Sequence, residues 1–537
     1  MGQSSSSKQE ESPELREVQS LAASTGALPS LQKAFSLLSD PQNKSVPVHS
    51  LKKCFELSLD NFESDYTVAS KELSIMFSHL GTTIVDLFFP TDENGVNWID
   101  FLRGYTKCCG RAVASTYFNN LLRVFSKTCS EAGLPVNLQF EQYDDDCKIG
   151  GSLSPREVLR LLLICWIFSW DSRSLKLNMG KSKGKCSLPD ISHLLLSAIE
   201  SCVESDHELD FWTSDVSDVD IQLMATKIHS WGLKTVPNLA DCLAQFVHSR
   251  LCYLVTCENK SESSCSSAHD NPSSTSSDTS LLTSGRAWAI SLTVRSPIYE
   301  EISKACFPSD DPDEKNENLI YRSSLHGKGL NRFWSNVDGY NGPLLVLISA
   351  CEDASSARRW IIGALTHQGF ENKELFYGNS GSLYTLSPIF NSLTSSGTEK
   401  NLVYSHLHPA GRLYDAHPKP VGIAFGGSIG NERIFIDEDF ARVTIRHHAV
   451  DKTYRHGALF PNQGFLPVEA AVSEVEVWGL GGATAIKIQD SYKKRENLFT
   501  EQRRKVDLKT FANWEDSPEK LMMDMMSNPQ AARREKR

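Results

Sequence analysis

The sequence lacks a long hydrophobic run, a paired-cysteine motif and an excess of positive charge. Its best apolar run, residues 161–168, falls short of the ~18 residues that cross a membrane, so we expect a buried helix there. The 14 cysteines all lie between positions 54 and 351, and none belongs to a CxxC pair. Since no apolar leader precedes them, we expect reduced thiols in the cytoplasm. Asp and Glu number 66 against 55 Lys and Arg, so we expect no nucleic-acid partner.

The spacing of apolar residues predicts a multidomain chain. Hydrophobic residues make up 40% of the 537 residues, a globular composition. After a disordered tip at residues 1–12, helical spacing predicts an all-α half over residues 13–257. A Ser-rich stretch at 258–281 has too few apolar residues to pack, and it predicts a linker. Alternation with a period of two then predicts a β-rich domain over 282–482, and a charged helix and tail follow at 483–537.

A few segments predict individual helices or strands. In the first half, Ser12 before Pro13 predicts a helix start, with the serine as N-cap. In the second half, a helix is expected at 296–306, where a Ser-Pro pair is typical of a first helical turn. Strand-like alternation is clearest in segments 287–294, 343–348, 360–365, 421–425, 433–437 and 472–478.

The first residues, M-G-Q-S-S-S, fit the pattern for N-myristoylation, with Gly2 as the acceptor. A single myristoyl chain attaches a protein to a membrane only marginally and reversibly. The nearby Lys8 is followed by several acidic residues, which an anionic leaflet repels. We therefore expect a cytoplasmic protein that associates reversibly with the cytosolic face of a membrane.

One window of the first half resembles a calcium-binding EF-hand loop. With Asp146 at loop position 1, a glycine falls at position 6 and the acid Glu157 at position 12. Positions 3 and 5, however, are Lys148 and Gly150, so one oxygen ligand is replaced by a cation and another is missing. Starting the loop at Asp144 recovers acids but lengthens the loop. The window therefore predicts an EF-hand-like scaffold that binds no metal, and calcium binding stays an open alternative.

A G-x-S-x-G motif at residues 426–430 raises the alternative of a serine hydrolase that uses Ser428. A hydrolase needs this serine on a sharp turn from a strand into a helix. The residues after the motif, 431–437, alternate like a strand. The glycines therefore favour a β-hairpin, and Ser428 is not expected to be catalytic.

Short motifs spread over about 200 residues of the second half together resemble the TLDc domain family. They comprise an S-x-H-G element, an F-Y-G element, an F-G-G hairpin, an acidic strand end and a closing W-G. Their residues are His326, Gly327, Phe376, Tyr377, Gly378, Phe425, Gly426, Gly427, Asp437, Glu438, Asp439, Trp478 and Gly479. The stretch 442–460 departs from the family pattern, because histidines and arginines replace its usual Gly and Ser residues.

The resemblance implies a fold and a set of roles. It implies a β-sandwich flanked by helices, an α+β fold with no established catalytic residues. With the EF-hand-like half and Gly2, the chain looks like a plant-type member of the family. Members are associated with protection from oxidative stress and with binding subunits of the vacuolar-type proton ATPase. We therefore expect a non-enzymatic regulatory binding protein without a cofactor, with a calcium-responsive membrane adaptor as the alternative.

Overall fold

The computed structural model shows a helical N-terminal half and a C-terminal half built on one antiparallel sheet. The predicted fold class, all-α followed by α+β, is confirmed. The structure describes residues 12–57, 62–63, 69–93, 95–141, 148–177, 186–203, 221–258, 280–307, 318–351, 359–407, 419–460 and 463–512, with single residues between 520 and 526.

The N-terminal half contains ten helices among its described residues. They are α1 (Pro13–Ser24), α2 (Leu28–Leu38), α3 (Val48–Cys54), α4 (Ala69–Phe88), α5 (Trp98–Cys109), α6 (Ala114–Glu131), α7 (Pro155–Leu177), α8 (Ser192–Cys202), α9 (Ala225–Thr235) and α10 (Asp241–Glu258). The Ser12 hydroxyl accepts a hydrogen bond from the Leu15 N–H, which confirms the predicted start of α1. Residues 161–168 are all buried within α7, as expected.

Short strands join the helices of this half. They are β1 (Phe62–Glu63), β2 (Leu138–Phe140), β3 (Ile149–Leu153), β4 (Cys186–Ser187) and β5 (Leu223–Met224). Among the described residues, no helix combines the length and apolar character that a membrane span requires.

The C-terminal half adds five helices and eleven strands. The helices are α11 (Ser284–Ser291), α12 (Ile298–Cys306), α13 (Ser323–His326), α14 (Leu330–Val337) and α15 (Gly482–Ala512). The strands are β6 (Leu319–Arg322), β7 (Leu344–Cys351), β8 (Arg359–Thr366), β9 (Lys373–Tyr377), β10 (Gly381–Ser387), β11 (Asn391–Thr394), β12 (Val403–His406), β13 (Gly422–Ser428), β14 (Asn431–Asp437), β15 (Arg442–Ile445) and β16 (Val468–Gly479).

All eleven strands belong to one curled, antiparallel sheet. Ten follow the order β11-β10-β8-β7-β16-β15-β14-β13-β12-β9, and β6 pairs with β16 outside this path. The strands expected to form a sandwich are thus hydrogen-bonded into a single sheet. Strand β16 is the central one: β7 pairs along one of its edges, while β15 and β6 share the other edge. Through β6, the segment that precedes β7 in the sequence contacts the C-terminal end of β16.

One predicted strand is wrong. Residues 287–294 alternate between apolar and small or polar side chains, but the structure places most of them in α11. The Thr283 hydroxyl caps this helix by accepting a hydrogen bond from the Arg286 N–H. Residues 287–291 are all buried, so the helix is surrounded by protein on every side. A short apolar run of this kind does not distinguish a buried helix from a strand.

Helix α11 joins the two halves in one continuous hydrophobic core. The Trp288 ring packs edge-on against Trp166 of α7, with ring centroids 5.6 Å apart. The same core includes Leu345 and Leu347 from one face of β7, whereas Val346, between them, faces a second core on the other side of the sheet. The helical half is therefore packed against one face of the sheet.

A buried carboxylate, Glu476, ties the start of the second half to its last strand. Its oxygens accept hydrogen bonds from the N–H groups of Leu281 and Leu282, at 2.9 and 3.4 Å, and from the Trp478 indole at 2.9 Å. The Arg322 guanidinium lies 2.8 Å from it, and the Glu476 side chain is 0% exposed. Because each of these groups donates to one carboxylate, its charge is fully compensated inside the protein.

We expect Glu476→Ala to lower the free energy of unfolding by about 3–5 kcal/mol, the usual cost of removing one partner of a buried ion pair. Glu476→Gln keeps the acceptor oxygen and should cost less. Ser280→Ala, which removes only one hydrogen bond of 3.3 Å to Glu476, is the control and should change stability by less than about 0.5 kcal/mol. Denaturant unfolding measures all three, and wild-type stability of Glu476→Ala would contradict the role given to this carboxylate.

Candidate functional site

The S-x-H-G element comprises the last three residues of the short helix α13 and the glycine that ends it, between β6 and α14. The His326 Nδ1 atom accepts a hydrogen bond from the Arg322 N–H at 3.0 Å, and the ring stacks on Tyr321. Gly327 has a φ of +90°, and its carbonyl accepts a hydrogen bond from the Tyr321 hydroxyl at 2.7 Å. The motif residues His326 and Gly327 thus shape the chain, and both are held by the neighbouring strand.

The acidic strand end packs against this turn. The Asp437 carboxylate accepts hydrogen bonds from the N–H groups of Ala441 and Arg442, at 2.8 and 3.2 Å, and closes the turn between β14 and β15. The Glu438 carbonyl accepts a hydrogen bond of 2.7 Å from the Leu330 N–H, at the start of α14. The side chains of Glu438 and Asp439 point into solvent. We call these two exposed residues the acidic turn.

The F-Y-G element lies at the end of edge strand β9. The Tyr377 hydroxyl accepts a hydrogen bond from the Glu371 N–H at 2.8 Å and lies 2.6 Å from the Ser405 hydroxyl. Phe376 packs on the Tyr404 ring, and Gly378 has a φ of +96° at the turn that follows. Burial raises the pKa of Tyr377 to about 12, so its hydroxyl stays protonated and takes part in structure.

The closing W-G also has a structural role. The Trp478 indole is buried and donates to Glu476. A Cβ at Gly479 would lie 2.7 Å from the Tyr340 hydroxyl, so the close approach of these two residues requires a glycine.

The F-G-G hairpin joins β13 to β14 by two residues, Ile429 and Gly430, because Ser428 pairs with Asn431. The buried Phe425 anchors the first strand. Gly426 and Gly427 both have positive φ values, so the backbone there suits glycine.

The hairpin excludes the strand-to-helix turn that a hydrolase nucleophile needs. Ser428 is exposed at the end of β13, and the chain continues into a strand. Within the described residues, its hydroxyl has no hydrogen bond to a histidine. The geometry therefore disfavours Ser428 as a catalytic nucleophile.

The structure pairs the loops of the helical half in a regular way. Val46, before α3, forms an antiparallel bridge with Val96, before α5. Leu153, before α7, pairs with Leu223, before α9. Two pairs of loops, each followed by a helix, are thus joined by short antiparallel contacts.

The carboxylate expected at the end of the metal loop has another role. Glu157 accepts hydrogen bonds from the Ser154 N–H at 2.6 Å and from the Ser154 hydroxyl at 2.9 Å, a capping box at the start of α7. Asp144 and Asp146 lie outside the described residues, as does Gly2. No group of three or more metal-ligating side chains is found within the part of the chain that the structure describes.

Nine thiols among the described residues have environments that suppress their reactivity. Burial raises the pKa of nine of them; for Cys54, Cys129, Cys242 and Cys306 the pKa reaches about 12, and for Cys202 about 11. Since the thiolate is the reactive form, these groups are poor nucleophiles at neutral pH.

We expect Gly427→Val to lower the free energy of unfolding by about 1–3 kcal/mol, because φ is +87° and a Cβ would lie 2.2 Å from the Asn431 carbonyl oxygen. Gly430 has a similar φ, but the space around it is open. Gly430→Val therefore measures the cost of backbone strain without a steric clash. Ser428→Ala should be silent within about 0.5 kcal/mol. Thermal unfolding measures these changes, and loss of function in a stably folded Ser428→Ala would revive the hydrolase.

We expect Glu157→Ala to lower stability by about 1 kcal/mol through loss of the capping box, whereas Glu157→Gln, which preserves a capping box, should change it little. Calorimetry with calcium should show no binding by the wild type. Tight calcium binding that disappears in Glu157→Gln would instead establish a calcium loop.

The comparison with known families agrees with this geometry. The family model for the TLDc domain matches residues 292–481. The range contains every motif residue from His326 to Gly479, and it leaves the helical half unmatched. No curated protein matches the chain. TLDc domains are generally non-catalytic, in agreement with motif residues that here form turns, caps and core. The chain therefore contains a TLDc domain at residues 292–481.

Proposed function

We propose that the protein is a non-enzymatic, plant-type TLDc protein that regulates the vacuolar-type proton ATPase by binding its subunits. One observation carries the proposal: the motif residues form turns, caps and core, and the motif side chains exposed to solvent are the carboxylates of the acidic turn. A catalytic site requires a nucleophile, a base and a group that orients the base. The motif residues offer no such set, but they do present a fixed surface for a partner.

The acidic turn is held from both sides. Asp437 caps the turn from within, and Phe440, with a φ of +56° and a fully buried ring, anchors its far end. The Leu330 N–H holds the Glu438 carbonyl. Because the backbone is ordered before binding, a basic partner surface loses little conformational entropy when it contacts these two carboxylates.

A role in oxidative-stress protection fits the same binding activity. The described thiols with raised pKa values are poorly suited to reduce oxidants directly. We propose that any protection comes from regulation of a partner and that it does not come from cysteine chemistry in this chain.

The helical half supports a scaffold function. We propose that its paired loops are EF-hand-like units that keep the helix–loop–helix architecture without calcium. The support is the pairing of Leu153 with Leu223 and the use of Glu157 as a helix cap. Glu157 is the described ligand candidate, so a calcium-responsive adaptor would require it to leave the cap.

Membrane association completes the proposal. A myristoyl group on Gly2 would bring the protein reversibly to the cytosolic face of the membrane that holds the pump. The local acidic residues next to Lys8 weaken attraction to anionic lipids. Residence on the membrane then depends on a further contact.

Binding of the full-length chain to purified soluble and assembled pump sectors, with and without ATP, tests the proposal. We expect the wild type to bind and Glu438→Lys/Asp439→Lys to bind at least about tenfold more weakly, since like charges placed against a basic partner cost several kcal/mol. The matched control is Asp92→Lys/Glu93→Lys, an adjacent exposed acidic pair in the helical half.

The control variant should bind like the wild type. Absence of a wild-type complex in both nucleotide states would overturn the proposed function. Equal losses in the two double variants would show a general charge effect and would remove the acidic turn from the interface.

A further inference from the structure

A loop of the TLDc domain exposes large apolar side chains. It leaves the sheet after Ile445 and returns at Val468, which are hydrogen-bonding partners, and it is described over residues 446–460 and 463–467. Val450 is 79% exposed, Phe465 65% and Leu466 82%. Phe465 and Leu466 are adjacent in the chain, and exposed apolar side chains that lie together mark an interaction site.

The base of the loop is rigid. The Arg433 guanidinium and the Asp451 carboxylate, 0% and 1% exposed, form a buried ion pair at 3.3 Å. Asp451 also accepts hydrogen bonds from the N–H groups of Thr453 and Tyr454, at 2.8 and 2.9 Å. The Tyr454 ring is buried. The exposure of Val450, next to Asp451, is thus built into the fold and does not arise from fraying.

The second exposed pair is anchored as well. The Phe465 ring stacks on His447, with centroids 4.8 Å apart and an interplanar angle of 19°. Since His447 follows Ile445 by two residues, the stack holds Phe465 and the adjacent Leu466 at the neck of the loop. Both side chains still present most of their surface to solvent.

The charge of the loop is opposite to that of the whole chain. Residues 446–467 contain three basic residues and one acidic residue, whereas the chain has a net charge of −11. The one acid, Asp451, is neutralised in the buried pair with Arg433. Lys452 and Arg455 are exposed. Lys452 lies 3.7 Å from Glu399 in a solvent-exposed pair, which holds it only weakly.

We propose that this loop is a membrane-contact site that inserts its apolar side chains into the interface of a bilayer containing anionic lipids. Phe and Leu side chains gain free energy by leaving water at this depth, and lysine and arginine beside them attract lipid phosphates. The apolar side chains present most of their surface to solvent, and basic residues lie beside them, a combination that suits an anionic lipid surface. The site needs neither the pump nor an acyl chain.

The site supplies what a single acyl chain lacks. One myristoyl group binds membranes marginally, and stable attachment takes a second signal such as a basic patch. The sequence near Gly2 offers no such patch, because acidic residues follow Lys8. The loop in the TLDc domain carries apolar and basic side chains, and the His447 ring contacts both Phe465 and His456, the residue after Arg455.

Co-sedimentation of the full-length, unacylated Gly2→Ala protein with vesicles tests the proposal. We expect binding to phosphatidylcholine vesicles that contain phosphatidylserine, weaker binding to phosphatidylcholine alone, and a decrease with added salt. Adding Phe465→Ser/Leu466→Ser should weaken binding at least about tenfold, because two large apolar side chains no longer leave water. Lys452→Glu/Arg455→Glu should remove the preference for phosphatidylserine.

The matched control is Leu325→Ser/Leu375→Ser, two leucines of the same domain that are each 66% exposed and lie outside the loop. This control should bind vesicles like its parent, and all variants should keep the parent's thermal unfolding. The proposal is overturned if the parent does not bind anionic vesicles, or if the Phe465 and Leu466 variant and the control behave alike. Loss of pump binding with unchanged vesicle binding would assign the loop to a protein contact instead.

Discussion

The buried Glu476 carboxylate is the contact on which the second half of the molecule depends. It lies on the central strand β16 and receives donors from the entering segment at Leu281, from β6 at Arg322 and from Trp478 on its own strand. These groups are far apart in sequence, so no local interaction brings them together. Burying a carboxylate without partners costs free energy of folding. The native fold is therefore stable only when each of these partners is in position.

The residues of the TLDc motifs also hold parts of the backbone in place. A histidine holds a backbone N–H, an aspartate closes a turn, a tyrosine bridges an edge strand, and glycines occupy positive φ values. These contacts account for the residue types that the motifs have in this chain. The functions that we propose lie on the surface that the framework presents, at the acidic turn with Glu438 and at the loop that carries Phe465.

The helical half shares a hydrophobic core with the sheet of the TLDc domain. Trp166 and Trp288 pack in a core that reaches the sheet through Leu345 and Leu347, so one face of the sheet is covered by helices. A partner of the kind proposed would therefore reach the TLDc domain at its loops and edges. Pairing of Val46 with Val96 and of Leu153 with Leu223 joins the loops that precede the helices.

The sequence by itself determined the features that depend on neighbours in the chain. The Ser12 cap, the buried run in α7, the alternating strand at 343–348 and the glycine hairpin all follow from local chemistry. It also placed the TLDc motifs, because their residue types are set by turns. Tertiary structure alone decided that residues around Trp288 form a helix, since burial on all sides erases the periodic signal. It alone showed that Glu157 caps a helix, that Glu476 is paired and that Phe465 is exposed, because burial and partners arise only when distant segments meet.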